Sequence, residues 1–102
     1  MSDCIFCKIA NHEIPSNVVF EDDEVIAFRD LDPQAPTHVL VIPKKHYANI
    51  CDGVPAATLA AMTHAISEVV KAEGIEESGY RVISNAGADA GQTVMHFHMH
   101  VL

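Results

Sequence analysis

The chain has 102 residues, a length typical of one domain, and we expect residues 1–102 to form a single unit. Six lysines and arginines stand against fourteen aspartates and glutamates, and the resulting net charge of −8 argues against a broad nucleic-acid surface. No apolar run approaches the ~18 residues of a membrane span, and the N-terminus lacks the basic and apolar regions of a signal peptide, so a soluble intracellular protein is expected.

The first half of the chain is predicted to form a short helix, a hairpin and a strand. The opening segment CIFCKIANHEIP is compact and apolar and is typical of one or two helical turns that end before the proline. The hairpin consists of Val18 to Phe20 and Val25 to Phe28, joined by a turn at Asp22-Asp23. The segment THVLVIPKKH then predicts a central strand from Val39 to Ile42.

The second half contains one long helix and two further strands. The helix is expected in PAATLAAMTHAISEVVKAEG, because five apolar residues recur at spacings of three and four and Gly74 supplies a C-terminal stop. These apolar residues are Leu59, Met62, Ile66, Val69 and Val70. A strand in YRVISN and a final strand at the C-terminus follow. Five strands without regular alternation of strand and helix predict an α+β fold, in which the long helix covers one face of an antiparallel sheet.

Three histidines occupy alternate positions in the C-terminal stretch MHFHMHVL. On a strand His96, His98 and His100 share one face, whereas on a helix His98 would point about 160° away from the other two. The residues between them are large and apolar, as a strand with a buried back face requires. Three imidazoles along one strand suit a metal ion, an anionic ligand or both. Two other histidines, His12 and His64, are expected to be solvated.

Two further segments carry groups that suit a phosphate or a sugar. The glycines of the loop NAGADAGQT would let backbone N–H groups approach a phosphate, with Asn85, Gln92 and Thr93 as extra donors; a flexible hairpin loop would look the same. Asp30 ends a strand beside apolar residues, where a carboxylate can accept two hydroxyl hydrogen bonds, as in ribose recognition. An ordinary turn residue is the alternative interpretation of Asp30.

The three cysteines argue against a disulfide framework, because their number is odd and no secretory signal precedes them. Cys51 is expected to be a small, partly buried residue. Cys4 and Cys7 form a C-x-x-C pair, which together with two of the downstream histidines would make a structural zinc site. A redox dithiol and two core cysteines are the alternatives.

The stretch HFHMHVL matches the His-φ-His-φ-His-φ-φ signature, φ being apolar, of the histidine triad (HIT) family. FEDDEVIAFRDLDPQAPTHVLVIPKKH and GYRVISNAGADAGQTVMHFHMHVL resemble the Hint branch, and the resemblance covers Cys4 to Leu102. It implies an α+β fold with a five-stranded antiparallel sheet, one long helix and a short N-terminal helix, pairing into a ten-stranded sheet in a homodimer. It implies a cytoplasmic enzyme that binds purine nucleotides and cleaves nucleoside 5′-phosphoramidates, such as AMP-NH2 or AMP-lysine, at the α-phosphate.

The resemblance also implies roles for particular residues. His98 would be the nucleophile that forms a nucleotidyl-histidine, His100 would contact the phosphate, and His38 would orient or relay protons. Asp30 would hold the ribose hydroxyls. The phosphate-binding residues would be Asn85, Gly91, Gln92 and Thr93. The base pocket would be formed by Ile5, Phe6, Ile9, Phe28 and Leu31.

Some members of the family bind zinc through a C-x-x-C pair, a histidine after the central strand and the first histidine of the triad. Here these residues are Cys4, Cys7, His46 and His96, and a structural Zn²⁺ is therefore expected, with no organic cofactor. Relatives continue past the position of Leu102 with Gly-Gly and a tail that reaches the partner subunit, and substrate preference is expected to depend on that tail. A dinucleoside polyphosphate hydrolase, or a non-catalytic nucleotide-binding or zinc interaction module, is the alternative function.

Overall fold

The computed structural model describes residues 4–102 and contains one sheet of five strands. The helices are α1 Ile5–Ala10 and α2 Ala56–Glu73, and the strands are β1 Val18–Glu21, β2 Val25–Arg29, β3 Val39–Pro43, β4 Val82–Ile83 and β5 Met99–Val101. The strands lie in the order β1-β2-β3-β5-β4, and every neighbouring pair is antiparallel. The predicted α+β fold, with its five-stranded antiparallel sheet and one long helix, is confirmed. Within the described residues, neither helix is both long and apolar enough to cross a membrane.

The two faces of the sheet are covered by different helices. In β3, Val39 and Val41 belong to the core beneath α2, whereas Leu40 and Ile42 belong to the cluster beneath α1, because successive side chains of a strand point to opposite faces. The buried residues of α2 are Met62, Ala65, Val69 and Val70. Burying one large aliphatic side chain contributes about 1.5–3 kcal/mol, so the larger cluster beneath α2 should contribute more to stability than the smaller one beneath α1.

The hairpin turn and the end of the long helix form at the predicted residues. Asp22 Oδ1 accepts hydrogen bonds from the backbone N–H groups of Glu24 and Val25, both at 2.9 Å, and these bonds close the turn between β1 and β2. Gly74 adopts the left-handed conformation, with φ of 71°, and ends α2. A residue with a Cβ atom rarely adopts this conformation, which explains why glycine is found there.

The strand predicted in YRVISN is shorter than expected and contributes only Val82–Ile83. After Ile83, side chains rather than the backbone of a strand form the hydrogen bonds. Ser84 Oγ donates to the carbonyl oxygen of His98 at 2.9 Å, and Asn85 Nδ2 donates to the carbonyl oxygen of Ala90 at 2.7 Å. These side-chain bonds replace ladder pairing, and β4 therefore ends after two residues.

The histidine strand also begins later than predicted, because β5 starts only at Met99. The N–H of Phe97 donates to the carbonyl oxygen of Tyr47 at 2.6 Å, in the segment after β3, rather than to β3 itself. The expected alternation nevertheless persists. Phe97 lies in the core beneath α2, while the rings of His96 and His98 both contact Phe6 of α1 on the opposite face.

The prediction for Cys51 is wrong, because this residue is exposed rather than partly buried. It lies in a surface turn in which its own N–H donates to Asn49 Oδ1 and the Ala48 N–H donates to Asp52 Oδ2. Polar side chains close this turn, so no apolar contact is needed to hold it. His64 is exposed, as expected, with its ring edge-on to Phe20.

Candidate active site

The site lies on the α1 face, where the end of β2, the start of β3 and the segment leading into β5 meet. The last register pair of β2 and β3 is Arg29 with Val39, and one residue further the Asp30 N–H donates to the carbonyl oxygen of His38 at 3.0 Å. Asp30 and His38 therefore face each other across the two strands. The pairing of β3 with β5 places Leu40 opposite His100, which brings the third histidine of the triad to the same place.

The orientation of His98 is fixed by the backbone two residues before it. Nδ1 of His98 lies 2.7 Å from the carbonyl oxygen of His96. A carbonyl oxygen only accepts, so Nδ1 carries the proton and Nε2 keeps a free lone pair. The ring is buried, and its edge contact with Phe6 holds it at the wall of a cavity. The arrangement suits an imidazole that attacks an electrophile through Nε2.

His38 and His100 form a hydrogen-bonded pair behind that cavity. Nε2 of His38 lies 2.9 Å from Nδ1 of His100, and the other ring nitrogen of His38 accepts the backbone N–H of Gln34 at 2.9 Å. Oδ2 of Asp30 lies 3.3 Å from the same Nε2 atom. Burial lowers the pKa of His100, and the neighbouring His98 and His38 lower it further, so this ring is neutral at pH 7.

A cavity of about 250 Å³ lies in front of these rings. All five residues predicted for the base pocket line it, and so do Asp30, His98 and His100. Leu31 is 94% exposed and forms the rim, whereas Phe6 and Phe28 pack edge to face at the buried end. Further apolar lining residues that the sequence interpretation missed are Ile14, Leu40 and Val94. The period of two from His38 along β3 is the signal that could have identified Leu40.

The glycine-rich loop lies beside the triad, but several of its predicted donors are already paired. Gln92 is buried; its Nε2 donates to the carbonyl oxygens of Ala48 and Val94, and its Oε1 accepts the Gly87 N–H at 2.8 Å. The side chain of Asn85 donates to Ala90 within the loop. Through these hydrogen bonds the side chain of Gln92 connects two loops. Its predicted contact with phosphate stays a prediction.

Two other loop residues have different surroundings. Thr93 is exposed and lines a second cavity of about 430 Å³, next to Cys4 and His46. Gly91 has φ of 83° and ends a single 3₁₀ turn, Ala88–Ala90. The structure thus does not place Thr93 or Gly91 in the wall of the 250 Å³ cavity in front of the triad. Their predicted role in phosphate binding stays a prediction.

The four predicted metal ligands converge in one cluster. Their ligand atoms all lie within 4.8 Å of one another. Nδ1 of His96 lies 3.4 Å from Cys4 Sγ and 3.5 Å from Cys7 Sγ, and Nδ1 of His46 lies 3.3 Å from Cys7 Sγ. A tetrahedral zinc ion with ordinary bond lengths separates a sulfur ligand from a nitrogen ligand by about 3.5 Å. The spacing of the group therefore fits that ion.

The chemistry of these ligands fits as well. Nε2 of His96 donates to the carbonyl oxygen of Pro43 at 2.8 Å, which leaves the Nδ1 lone pair directed at the two sulfurs. Burial lowers the pKa of His96 to about 4, so the ring is neutral. Burial also raises the pKa of the Cys7 thiol to about 11, and the adjacent Cys4 adds to this rise. A bound cation would reverse that rise, because thiolates are the form that binds zinc.

Comparison with known proteins assigns the chain to a family. A family model described as HIT domain matches residues 11–102. Protein HitA of Neisseria gonorrhoeae is 40% identical over 104 residues, covering 100% of this chain and 96% of that protein. The purine nucleoside phosphoramidase of Escherichia coli (strain K12) is 45% identical over 100 residues, covering 96% of this chain and 84% of that protein.

A solved structure agrees with these sequence matches. A HIT family hydrolase from Clostridium thermocellum superposes on this chain with a TM-score of 0.94 at 45% sequence identity, and the match covers 100% of this chain and 90% of that one. Because the family model spans nearly the whole chain, and two relatives covered to 96% and 84% of their length are 40% and 45% identical to it, the chain belongs to the HIT domain family.

Proposed function

We propose that this protein hydrolyses purine nucleoside 5′-phosphoramidates, of the AMP-NH2 and AMP-lysine type, at the α-phosphate through a nucleotidyl-His98 intermediate. The observation that carries the proposal is the 2.7 Å hydrogen bond from His98 Nδ1 to the carbonyl of His96, which leaves the Nε2 lone pair free at the cavity wall. Family membership supports a hydrolase, and the name of the relative with 45% identity supports a P–N bond as the one that breaks.

In the first half of the reaction, the Nε2 lone pair of His98 attacks the α-phosphorus. The P–N bond breaks, and its electron pair goes to the leaving nitrogen, which takes a proton from solvent and departs as an amine. Nδ1 of His100 is directed at His38, so its other ring nitrogen is free to donate to a phosphoryl oxygen. A donor held at that position stabilises the charge that develops on the oxygens.

In the second half, water attacks the same phosphorus atom. The P–N bond to His98 breaks, its electron pair returns to Nε2, and the attacking water releases a proton to solvent. The products are a nucleoside monophosphate and an amine, and every histidine returns to its starting form. The carbonyl of His96 holds the ring of His98 in one orientation throughout, so the amine leaves and the water enters on the same side of the phosphorus, opposite Nε2.

The rest of the cavity suits a nucleoside. The rings of Phe6 and Phe28 provide an apolar wall for a base, and Asp30 at the polar end provides a carboxylate for the ribose hydroxyls. The carboxylate is oriented by the Asp32 N–H, which donates to Oδ1 at 2.9 Å, while Oδ2 lies 3.3 Å from Nε2 of His38. An apolar wall binds a purine without reading its polar edges, so AMP and GMP derivatives should both be substrates.

The cysteine and histidine cluster has a separate role in this proposal. Cys4, Cys7, His46 and His96 would hold a structural Zn²⁺. Four protein ligands leave no open coordination position for water, so the ion would tie α1 to the sheet and take no part in hydrolysis. We also propose a homodimer, in line with the resemblance to the Hint branch.

The test is a substrate panel followed by trapping of the intermediate. Adenosine 5′-phosphoramidate and an adenylylated lysine analogue should turn over faster than a diadenosine polyphosphate. Quenching in alkaline denaturant, in which a histidine–phosphorus bond survives, should leave the label of an α-phosphate-labelled substrate on the peptide that contains His98. Good AMP affinity without turnover of any of these compounds would instead identify a binding module.

A further inference from the structure

We propose that Asp30 is a positioning residue for His100 as well as a ribose ligand. Its carboxylate and the Nδ1 atom of His100 compete for the single N–H of His38, and ribose binding to Asp30 resolves the competition in favour of His100. The inference rests on the nucleotide-binding function proposed above. It adds that sugar recognition prepares the group that contacts the phosphate.

The argument begins with the proton count on His38. The backbone N–H of Gln34 donates to Nδ1 of His38 at 2.9 Å, so Nδ1 must be unprotonated. A neutral His38 therefore carries its one proton on Nε2. The loop that supplies this N–H connects β2 to β3, and Asp30 opens the same loop.

Two acceptors face that one proton. Nδ1 of His100 lies 2.9 Å from Nε2 of His38, and Oδ2 of Asp30 lies 3.3 Å from it. The histidine nitrogen is closer, but the carboxylate is charged and so is the stronger acceptor at equal distance. Asp30 and His38 are fixed relative to each other, because the Asp30 N–H donates to the His38 carbonyl across the strands and His38 is buried. Neither acceptor can move far from the shared N–H.

The outcome of the competition decides what His100 presents to a ligand. When His38 donates to Nδ1 of His100, the proton of His100 must be on Nε2, where it is a donor for a phosphoryl oxygen. When His38 donates to Asp30, Nδ1 of His100 loses its donor and the proton of His100 is no longer confined to Nε2. Two ribose hydroxyls bound to Asp30 would occupy the carboxylate and leave the His38 N–H to His100.

Burial and the neighbouring imidazoles favour the neutral form of His100, as this scheme requires. The titratable groups that face the pair are Asp30 at the end of β2 and His98 before β5. Arg29 also lines the cavity, but its guanidinium binds the carboxylate of Glu73. Burial lowers the pKa of His100, the neighbouring His98 and His38 lower it further, and the charge of Asp30 acts in the opposite direction.

The kinetic test compares two substrates in two proteins. For the wild type, replacing adenosine phosphoramidate by its 2′,3′-dideoxy analogue should lower kcat about fivefold, the effect of losing roughly one hydrogen bond, in addition to raising KM. In Asp30→Asn the two substrates should have the same kcat, because the charged competitor is gone. The matched control is Asp23→Asn, an exposed carboxylate in the turn between β1 and β2, which should keep the wild-type difference. If Asp30 only binds ribose, the dideoxy substrate will change KM and leave kcat alone.

A second measurement needs no turnover. In wild-type protein with ¹⁵N-labelled histidine, adenosine should move the ring-nitrogen shifts of His100 toward the Nε2–H tautomer, and 2′,3′-dideoxyadenosine should not. Asp30→Asn should show equal shifts with both nucleosides. Binding of both nucleosides with equal shifts in the wild type would overturn this inference alone. Failure of adenosine to bind, measured by calorimetry, would overturn the nucleotide function and the inference together.

Discussion

The ring of Phe6 stands edge-on against the imidazole of His98, with centroids 5.1 Å apart and planes at 89°. Phe6 belongs to α1, a helix of six residues that is too short to be stable without tertiary contacts. Cys4 caps this helix and Cys7 lies within it, and both sulfurs point at the nitrogen of His96. The wall of the cavity and the support of His98 therefore depend on the cysteine and histidine cluster.

We expect about one zinc ion per chain and a loss of that ion in Cys7→Ser. The variant should unfold about 10 °C lower or more, since a loss of even 1 kcal/mol shifts the melting temperature of a domain of this size by about 4–8 °C. It should also bind AMP more weakly, because α1 carries Phe6. Elemental analysis, thermal unfolding and calorimetric titration of AMP measure the three effects.

The matched control for the metal site is Cys51→Ser, which removes an exposed thiol in a surface turn outside the cluster. It should keep the zinc content, the melting temperature and the AMP affinity of the wild type. Protein purified without chelators that contains no zinc, or a Cys7→Ser variant as stable as Cys51→Ser, would contradict the structural role.

His98→Asn should abolish turnover and leave AMP binding largely intact. The covalent bond to His98 is absent from the ground state, so its loss should fall on kcat, by at least about a thousandfold, or 4 kcal/mol of barrier. Asp30 and the apolar wall remain and should still bind the nucleotide. A steady-state assay on adenosine 5′-phosphoramidate, paired with calorimetric titration of AMP, measures both quantities.

Two comparisons make the His98 test specific. His100→Ala should impair both kcat and AMP affinity, because its free ring nitrogen is placed to contact the phosphate in the bound state and during reaction. His64→Ala changes an exposed histidine on α2 and should alter neither. Turnover by His98→Asn close to the wild-type rate would refute the mechanism even if the protein proved to be a hydrolase.

Much of the fold follows from local patterns in the sequence. The hairpin is specified by alternation around a turn in which one aspartate closes the chain, and α2 by the three-and-four spacing that Gly74 ends. The triad is specified in the same way, because alternate positions place His96 and His98 on the face opposite Phe97. Each of these features depends on residues that lie within a few positions of one another in the sequence.

The features that the sequence interpretation missed depend on distant partners. β5 begins late because the Phe97 N–H bonds to Tyr47, fifty residues earlier in the chain. The internal hydrogen bonds of Gln92, whose amide is buried between two loops, were likewise not predicted. The approach of Asp30 to His38 follows from the register of β2 and β3, which no local pattern predicts. A polar residue near a glycine-rich loop cannot be assigned to a ligand until its internal partners are known.

The ion pair between Arg29 and Glu73 should make stability depend on acid pH. Nη1 and Nη2 of Arg29 donate to the two carboxylate oxygens of Glu73 at 2.8 and 2.6 Å, joining β2 to the end of α2. The hydrogen bond to Arg29 lowers the pKa of Glu73 in the folded state. The pair therefore stabilises the fold above the unfolded pKa of about 4.3, and this contribution is lost as the pH falls through the lower folded value.

Arg29→Met should reduce the free energy of unfolding at pH 7 by about 0.5–1 kcal/mol, a modest amount because solvent reaches the arginine side chain. The difference from the wild type should shrink as the pH falls below 4, measured by urea unfolding across that range. Lys71→Met removes an exposed cation from the same end of α2 and should show little change at any pH. An Arg29→Met deficit that persists undiminished in acid would assign the effect to packing rather than to charge.

We expect the protein to be a homodimer that pairs through β4. This strand, Val82–Ile83, lies at one edge of the sheet, and the side chains of Tyr80 and Val82 beside it are 47% and 41% exposed. An edge strand with apolar side chains offers unpaired backbone groups and apolar surface to a second copy. Val82→Asp should therefore shift the protein toward a monomer, as measured by light scattering at micromolar concentration.

The opposite edge of the sheet supplies the control. Val18 begins β1 and is 40% exposed, so Val18→Asp introduces the same charge at a residue of the same type and nearly the same exposure. Val18→Asp should leave the dimer unchanged if the β4 edge is the interface. The melting temperatures of the two variants should be similar when both are compared in the same assembly state. A wild-type monomer at micromolar concentration would refute the dimer. A monomer formed by Val18→Asp but not by Val82→Asp would move the interface to the β1 edge, because only the strand that pairs with the second copy is sensitive to a charge placed in the contact.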